Sequence, residues 1–167
     1  MKQAAEEAID WRGLMFSETF TWLSISWIVI GRGVVMADAR YARGLKKLEE
    51  IDGEAGKKVI DSLKDIAPDL ARYTIEFPFG DVYSRKGLDV KSREIATIAA
   101  LTALGNAAPQ LKVHIHAGLN VGLNPEEVTE IIIQMAVYAG FPAALNGMFA
   151  AKEVFKERGI SIKQPGE

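Results

Sequence analysis

The stretch PQLKVHIHAGLNVGLNPEEV, from Pro109 to Val128, decides how the rest of the chain is interpreted. It contains both histidines of the protein, His114 and His116. The runs on either side of it, SREIATIAALTALG and IIIQMAVYAGFPAALN, are apolar over most of a helical circumference. Helices of this kind are stable in water when they pack against one another. The region therefore predicts a core of consecutive helices.

Capping residues predict where these helices begin and end. Asp89 is a suitable N-cap for a helix that stops at Gly105. The sequence Asn-Pro-Glu-Glu from Asn124 combines an N-cap, a proline at the first helical position and a capping-box glutamate. A final break falls at Gly140-Phe141-Pro142, and no segment alternates as a β-strand would. We therefore expect an all-α fold.

The preceding part of the chain predicts shorter helices. A polar helix over residues 38–50 is followed by a break at Ile51-Asp52-Gly53 and by a second helix from Glu54 to Ile66. A third begins at Pro68, and we expect Phe77-Pro78-Phe79-Gly80 to end it, because proline lacks an amide donor and glycine frees the backbone. Residues 37–167 thus form one helical domain.

Residues 1–36 form an N-terminal arm for which three interpretations stay open. The uncharged run FTWLSISWIVIG lies between Glu18 and Arg32 and is shorter than the roughly 20 apolar residues of a membrane-spanning helix. The acidic start is also unlike a signal peptide. The arm is a helix that packs on the body or on another subunit, a non-native extension before a start at Met36, or a membrane segment. Its length argues against the last, and we expect a cytoplasmic protein.

Composition excludes several classes of function. The net charge of -2, without a Lys/Arg-rich run, argues against nucleic-acid binding. The absence of cysteine excludes disulfides, thiolate nucleophiles and Cys-ligated zinc. Two histidines are too few for a His-rich metal centre, so we predict no metal site. Any chemistry must use histidine, carboxylates, tyrosine, amides and backbone.

The two histidines point to nearly opposite sides of their helix, because successive residues are rotated by about 100°. His114 shares an apolar stripe with Gln110, whereas His116 shares its side with Lys112 and Asn120, which we expect to be more solvated. His114 is therefore the better candidate for a general acid or base. The alternative is a histidine that is simply held by a neighbouring polar group.

Three further residues are candidates on weaker grounds. Glu94 lies near the start of its helix, where the helix dipole alone would favour a carboxylate. Tyr138 and Asn146 flank the corner at residues 140–142, and such corners often border pockets. The triplet Ile131-Ile132-Ile133 covers too much of the helix for a surface position, which indicates burial between subunits.

Four pieces of sequence occur in one order: SRE, VHIHAGLNVGL, NPEEV and VYAGFPAALN. In this order they resemble the carboxymuconolactone decarboxylase family of the alkylhydroperoxidase D-like superfamily, over residues 69–159. The resemblance implies an all-α fold and oligomers that are trimers or hexamers of stacked trimers. For the decarboxylase branch it also implies that no cofactor is needed.

In the peroxidase branch of this superfamily a Glu, a CxxC pair and a His form the redox centre. Glu94 and His114 match the Glu and the His, while Ala107 and Gln110 stand where the cysteines would be. Without thiols, dithiol peroxidase chemistry is excluded.

What the resemblance implies instead is a decarboxylase of a small cyclic carboxylate such as a carboxymuconolactone. His114 would be the general acid, Glu94 would orient it, and Gln110 would bind the substrate with Tyr138 and Asn146. Two alternatives stay open: a lactone isomerase or hydrolase that uses the same pair, and a non-catalytic oligomer that binds small carboxylates. Both enzymatic interpretations require Glu94 and His114 to meet at a cavity.

Overall fold

The structure, a computed structural model, describes residues 39–161, and these residues form helices joined by short turns, with no strand among them. The predicted all-α fold is confirmed. Predictions for the arm at residues 1–36 fall outside the described range. The elements in order are α1 (39–51), α2 (Gly53–Asp61), α3 (Pro68–Thr74), a π-helical segment (Ile75–Tyr83), α4 (Val90–Leu104), α5 (Ala108–Asn120), α6 (Pro125–Ala139) and α7 (Phe141–Glu157).

The predicted helix ends are confirmed where their capping chemistry is local. The Asp89 side chain accepts hydrogen bonds from the backbone N–H and the hydroxyl of Ser92, at the start of α4. That helix ends at Gly105 with a φ of 72°, in the left-handed region that favours glycine. At the start of α6, Asn124 and Glu127 form the reciprocal pair of a capping box.

One apolar core lies among α4, α5, α6 and α7. Ile98, Ile115 and Ile132 are fully buried in it. Of the isoleucine triplet, predicted to be buried between subunits, Ile132 lies instead in this core, whereas Ile133 is half exposed in the single chain and its burial between subunits stays a prediction. Neighbouring residues on a helix point in different directions, so one isoleucine of the triplet lies in the core while another lies at the surface.

A second core joins the N-terminal helices to α5. Its buried members are Leu48, Ile51, Ile60, Ala71, Ile75, Phe79 and Ala117. Helix α5 contributes to both cores, since Ile115 belongs to the first and Ala117 to the second. A side chain on α5 therefore lies where the two groups of helices meet. No helix among the described residues is long and apolar enough to cross a membrane.

The predicted break at residues 77–80 is wrong. The chain stays helical through Pro78 and Gly80 to Tyr83, as a π-helical segment with a wider turn. In an α-helix the proline ring would clash with the carbonyl four residues earlier, and a wider turn relieves that contact. Gly80 has no positive φ; its role is steric, because a Cβ there would lie 2.8 Å from the carbonyl oxygen of Arg40.

The helix predicted to reach Ile66 ends earlier, at Asp61. The predicted break before it is confirmed but narrow, since Asp52 alone separates α1 from α2 and Gly53 follows with a φ of 54°.

Candidate active site

His114 on α5 and Glu94 on α4 are brought together, as the sequence predicted. Nδ1 of His114 lies 3.0 Å from Oε2 of Glu94. The Glu94 side chain is fully buried, whereas 22% of the His114 side chain is exposed. A hydrogen bond donated by the ring to a buried carboxylate orients the imidazole and leaves its other ring nitrogen, Nε2, as the atom available to a ligand.

The helix dipole does not account for Glu94. The residue is the fifth of α4, beyond the first turn, where the dipole effect has declined. Its side chain is fully buried, and Oε1 has no hydrogen-bond partner among the described residues. Burying a carboxylate is costly unless it is paired, so its contact with His114 is the interaction that explains its position.

Asp52 is a third member of the site, and the sequence analysis missed it. It lies between α1 and α2, is 5% exposed, and its Oδ1 has no partner among the described residues. Ligand atoms of Asp52, Glu94 and His114 all lie within 4.8 Å of one another. An aspartate before a glycine is typical of an ordinary turn, so no local signal pointed to it. We refer to these three residues as the acid–histidine cluster.

Gly56 makes room for Asp52. It follows one turn later on α2 and is buried. A Cβ at this position would lie 2.6 Å from the Cβ of Asp52 and 2.8 Å from a methyl group of Leu48. Only glycine lets the Asp52 side chain lie over this part of α2.

The cluster shifts the proton affinities of two of its members. Burial raises the pKa of Asp52 to about 7; the positive charge of His114 opposes this rise and the negative charge of Glu94 adds to it. Burial lowers the pKa of His114, but the hydrogen bond to Glu94 and the charges of Glu94 and Asp52 outweigh it, so the net pKa is raised. The imidazolium of His114 is therefore favoured up to a higher pH than in a free histidine, and Asp52 is partly protonated near pH 7.

Tyr83 closes one side of the site. Its hydroxyl lies 2.9 Å from Oγ1 of Thr97, and the Thr97 hydroxyl donates to the carbonyl of Arg93. Burial and the nearby charge of Glu94 raise the pKa of Tyr83, so it stays a neutral phenol.

A cavity of about 380 Å³ lies beside the cluster. His114, Asp52, Tyr83 and Gln110 contribute to its lining. The remaining walls are largely apolar and are formed by Leu48, Gly56, Val59, Ile60, Pro78, Phe79, Pro109 and Val113, with Thr74 and Thr97. A cavity of this size, with few polar groups in an apolar wall, is typical of small-molecule sites.

The other predicted substrate-binding residues are placed differently. Gln110 lines the cavity, at its solvent-exposed side. Tyr138 is 76% exposed and does not line this cavity. Asn146 lines a separate surface depression with Lys112 and Glu153. A role for Tyr138 and Asn146 in substrate binding stays a prediction, and the chain does not bring them to His114.

His116 faces away from the cavity, as predicted, but the expectation that it is more solvated is wrong. Its side chain is 21% exposed, against 22% for His114. Arg158 donates to its Nδ1 at 2.8 Å, so the ring donates from Nε2 to Glu157 at 3.1 Å. Polar residues at the end of α7 cover this face, and His116 fastens α5 to α7.

The acid–histidine cluster also has the composition of a metal site. Two carboxylates and an imidazole nitrogen are the donors that small divalent cations accept in proteins. The sequence argument considered only the number of histidines. It did not consider a site that combines one histidine with two carboxylates. A cation would compete with the proton for Nδ1 of His114, the atom that contacts Glu94.

Comparisons with known proteins show the family to which the sequence is similar. The model of the carboxymuconolactone decarboxylase family matches residues 68–153. The chain is 37% identical, over 74% of its length and 92% of the relative's, to the 4-carboxymuconolactone decarboxylase of Acinetobacter baylyi. It is 33% identical to an uncharacterized 15.0 kDa protein of Paracoccus denitrificans, over 66% of this chain and 78% of that one. It is also 29% identical to the nitrosuccinic acid decarboxylase of Metarhizium robertsii, over 49% of this chain and 57% of that one.

Proposed function

The chain belongs to the carboxymuconolactone decarboxylase family, and from this premise we propose that it is a cofactor-independent decarboxylase of a small unsaturated carboxylate, such as a carboxylated lactone. The observation that carries the proposal is the contact between His114 and the fully buried Glu94 at an apolar cavity. Two relatives are named as decarboxylases of different acids. This supports the type of reaction more strongly than any one substrate.

Loss of carbon dioxide breaks a carbon–carbon bond and leaves its electron pair on the substrate. In an acid whose carboxylate is β to a carbonyl, or conjugated to it, that pair moves into the carbonyl and forms an enolate. The enzyme must stabilise the new oxyanion and deliver a proton to carbon. Both tasks require only a positioned acid and hydrogen-bond donors, which this site offers.

His114 is the proposed acid. Its Nδ1 is engaged by Glu94, so Nε2 is the atom that faces a substrate. Because the pKa of His114 is raised, its ring stays protonated up to a higher pH than the ring of a free histidine. After the proton has moved to carbon, the Glu94 carboxylate still orients the neutral imidazole until solvent recharges it.

Asp52 has a different proposed role. A carboxylate substrate could not enter a cavity beside two ionised acids without strong repulsion. Because the pKa of Asp52 is raised to about 7, this side chain is partly neutral under ordinary conditions. The protonated form removes the repulsion and donates a hydrogen bond to the substrate, next to the imidazolium of His114.

The two histidines provide the direct test. His114→Ala should lower kcat/KM for carbon dioxide release by about 10²- to 10⁴-fold, the usual contribution of a proton-transfer group. His116→Ala is the matched control, because it removes the same side chain from the opposite face of α5, and it should retain most of the activity. Substrates are carboxymuconolactone and related unsaturated acids, with folding checked by circular dichroism. Equal activity of the two variants would contradict the proposal.

We also propose that the chain self-associates, as a trimer or a hexamer of stacked trimers. Large apolar side chains recur every fourth residue along α6 and α7 and are at least half exposed; we call them the α6–α7 apolar face: Ile133, Val137, Phe141, Leu145 and Phe149. Several large apolar side chains left exposed on neighbouring helices are typical of subunit interfaces. A second copy of this chain is the proposed occupant.

A further inference from the structure

Asp52 reaches the acid–histidine cluster from a very short junction between two helices. It is the single residue that separates α1 from α2. Its backbone N–H donates to the carbonyl of Leu48 at 2.8 Å, and its own carbonyl accepts from the N–H of Ala55 at 3.2 Å. These bonds are local to the junction. They shape the backbone at Asp52 but do not set its distance from His114, which lies on α5.

Asn120 connects this junction to α5. Its Nδ2 donates a hydrogen bond to the carbonyl oxygen of Ile51 at 3.0 Å. Ile51 immediately precedes Asp52, and its carbonyl belongs to the last turn of α1, where helix carbonyls lack partners within their own helix. Asn120 lies on α5, the helix that carries His114. One hydrogen bond therefore ties the backbone that presents Asp52 to the helix that presents His114.

Arg158, at the end of α7, determines how the Asn120 amide is oriented. Its Nη2 donates to Oδ1 of Asn120 at 2.7 Å and to the backbone carbonyl of His116 at 3.0 Å. A guanidinium can only donate, so the amide must present its oxygen to Arg158 and its NH₂ group to Ile51. Both bonds of Nη2 avoid the imidazole of His116, so they do not depend on that ring.

A directional bond at this point matters because the rest of the contact is apolar. The core that joins the N-terminal helices to α5 is formed by side chains such as Leu48, Ile75 and Ala117. Hydrophobic contacts of this kind are not directional, and they tolerate small shifts of one helix along another. A displacement of about 1 Å at a site can reduce its activity about 10²-fold. The hydrogen bond from Asn120 opposes such a shift at the residue next to Asp52.

We propose that Asn120 is a positioning residue, which holds Asp52 at the site through the Ile51 carbonyl while Arg158 orients its amide. This inference rests on the proposed decarboxylase function, in which Asp52 binds the substrate. Neither Asn120 nor Arg158 lines the cavity. Both residues therefore act through Asp52 and make no contact with the substrate.

The division between KM and kcat tests this role. Asn120→Ala should raise KM for carboxymuconolactone about tenfold, the loss expected for one hydrogen bond to a charged group, and should change kcat for carbon dioxide release much less. Partial unfolding would instead lower kcat and leave KM unchanged. Asn106→Ala is the matched control, because it removes the same side chain from the exposed turn between α4 and α5, and KM should stay at the parent value. A parent-like KM in Asn120→Ala would overturn the inference.

An isosteric variant covers the case in which alanine prevents folding. Asn120→Asp keeps the size of the side chain and its contact with Arg158, but it places a carboxylate oxygen against the Ile51 carbonyl where the NH₂ group was. KM should rise as in the alanine variant. Arg158→Ala should raise KM by a smaller factor, because the amide remains but is free to rotate. An unchanged KM in Arg158→Ala would remove Arg158 from the proposal.

A double-mutant cycle shows whether Asn120 acts through Asp52. Asp52→Ala should itself raise KM, because it removes the group that binds the substrate. In that background Asn120→Ala should raise KM by less than about twofold, since the side chain that Asn120 positions is already gone. Two effects that multiply in full would mean that Asn120 acts independently of Asp52, and the inference would be wrong.

Hydrogen exchange measures the positioning without any turnover. In Asn120→Asp the amides of residues 51–56 should exchange at least about fivefold faster than in the parent, whereas those of α6 should not change. Unchanged exchange at the junction would overturn the inference even if the protein is a decarboxylase. Faster exchange, together with no carbon dioxide release by the parent from any of the unsaturated acids, would support the link and overturn the proposed function.

Discussion

At the scale of single residues, the site is a histidine whose proton affinity depends on two buried carboxylates. Glu94 and Asp52 both raise the pKa of His114, against the effect of burial. Asp52 is itself desolvated enough for its pKa to reach about 7. Pairs of titratable groups that shift one another in this way are concentrated at functional sites. Two predictions separate the contributions of the carboxylates.

The first concerns the pH dependence of activity. If protonated His114 is the acid, kcat/KM falls as pH rises through its raised pKa. Glu94→Gln removes the hydrogen-bonded charge and leaves the effect of burial, which lowers the pKa. The alkaline limb of the profile should therefore move to lower pH, in addition to any loss of rate. A profile recorded from pH 5 to 9 checks this, and a reduced rate with an unmoved limb would mean that Glu94 acts only structurally.

The second concerns stability. The pKa of Asp52 is raised from 3.8 to about 7 on folding, so the native state holds this proton more tightly than the unfolded chain. Stability from this group is present below pH 4 and is lost as pH rises toward 7. The Asp52→Asn variant has no such proton to lose. As pH rises from 4 to 7, its free energy of unfolding should therefore increase relative to that of the parent, by at most about 1.4 kcal/mol per pH unit.

Urea unfolding at several pH values measures the difference in stability between parent and variant. Asp61→Asn is a suitable control, because Asp61 is exposed and Lys64 lowers its pKa, so the contribution of Asp61 changes below pH 4 and stays constant between pH 4 and 7. A constant difference between the Asp52 variant and the parent from pH 4 to 7 would show that Asp52 does not retain a proton in this range.

At the scale of secondary structure, the π-helical segment determines how the N-terminal helices approach the site. It carries Phe79 and Tyr83, which line the cavity. Helix α1 packs closely on it at Gly44, where a Cβ would lie 2.3 Å from the carbonyl oxygen of Ile75 and 3.0 Å from the backbone nitrogen of Gly80. Backbone atoms cannot rotate away as a side chain can, so this contact requires glycine.

Gly44→Ala should therefore be destabilising, by about 1–3 kcal/mol or more, which is the usual cost of overpacking. The shift in the urea midpoint measures it. Gly87→Ala is the matched control, since nothing lies within 4 Å of a Cβ at Gly87 and its φ is not positive. That change should be neutral or slightly stabilising, because alanine restricts the unfolded chain. Equal stability of the two variants would contradict the close packing of α1.

At the scale of the whole molecule, the packing of a single chain does not explain why the α6–α7 apolar face is exposed to solvent. The core among α4 to α7 buries other residues of these helices, such as Ile132, whereas Val137 and Phe141 lie open to solvent. An interface between chains would bury this apolar area, and each Å² removed from water would stabilise the oligomer by about 25 cal/mol. Self-association is thus a prediction with a structural basis.

Val137→Glu should convert the proposed oligomer to smaller species, because a charge at the centre of an apolar interface is costly to bury. Size-exclusion chromatography with light scattering measures the mass. Asn106→Asp is the control: it adds the same charge to an exposed position in the turn between α4 and α5, away from this face in sequence, and should leave the mass unchanged. A parent protein that is already monomeric at micromolar concentration would dispose of the self-association proposal.

Much of the fold was predictable from the sequence, because its determinants are local. The capping residues Asp89 and Asn124, and the glycine at position 105, act within a few residues of their own helix ends. The opposite orientation of His114 and His116 follows from helical rotation alone. Glu94 and His114 were found through residue type and family resemblance, and the structure places them 3.0 Å apart.

What only the tertiary structure decided depends on residues distant in the chain. Asp52 joins the site because α1 and α2 pack against α5, and no local pattern distinguishes it from a turn aspartate. Gly80 does not end a helix. A glycine is needed there because the carbonyl oxygen of Arg40, on another helix, leaves no room for a Cβ. The lining of the cavity likewise arises where several helices meet. Interactions between residues close in sequence specify where helices begin and end. Packing between helices decides which side chains share a buried space.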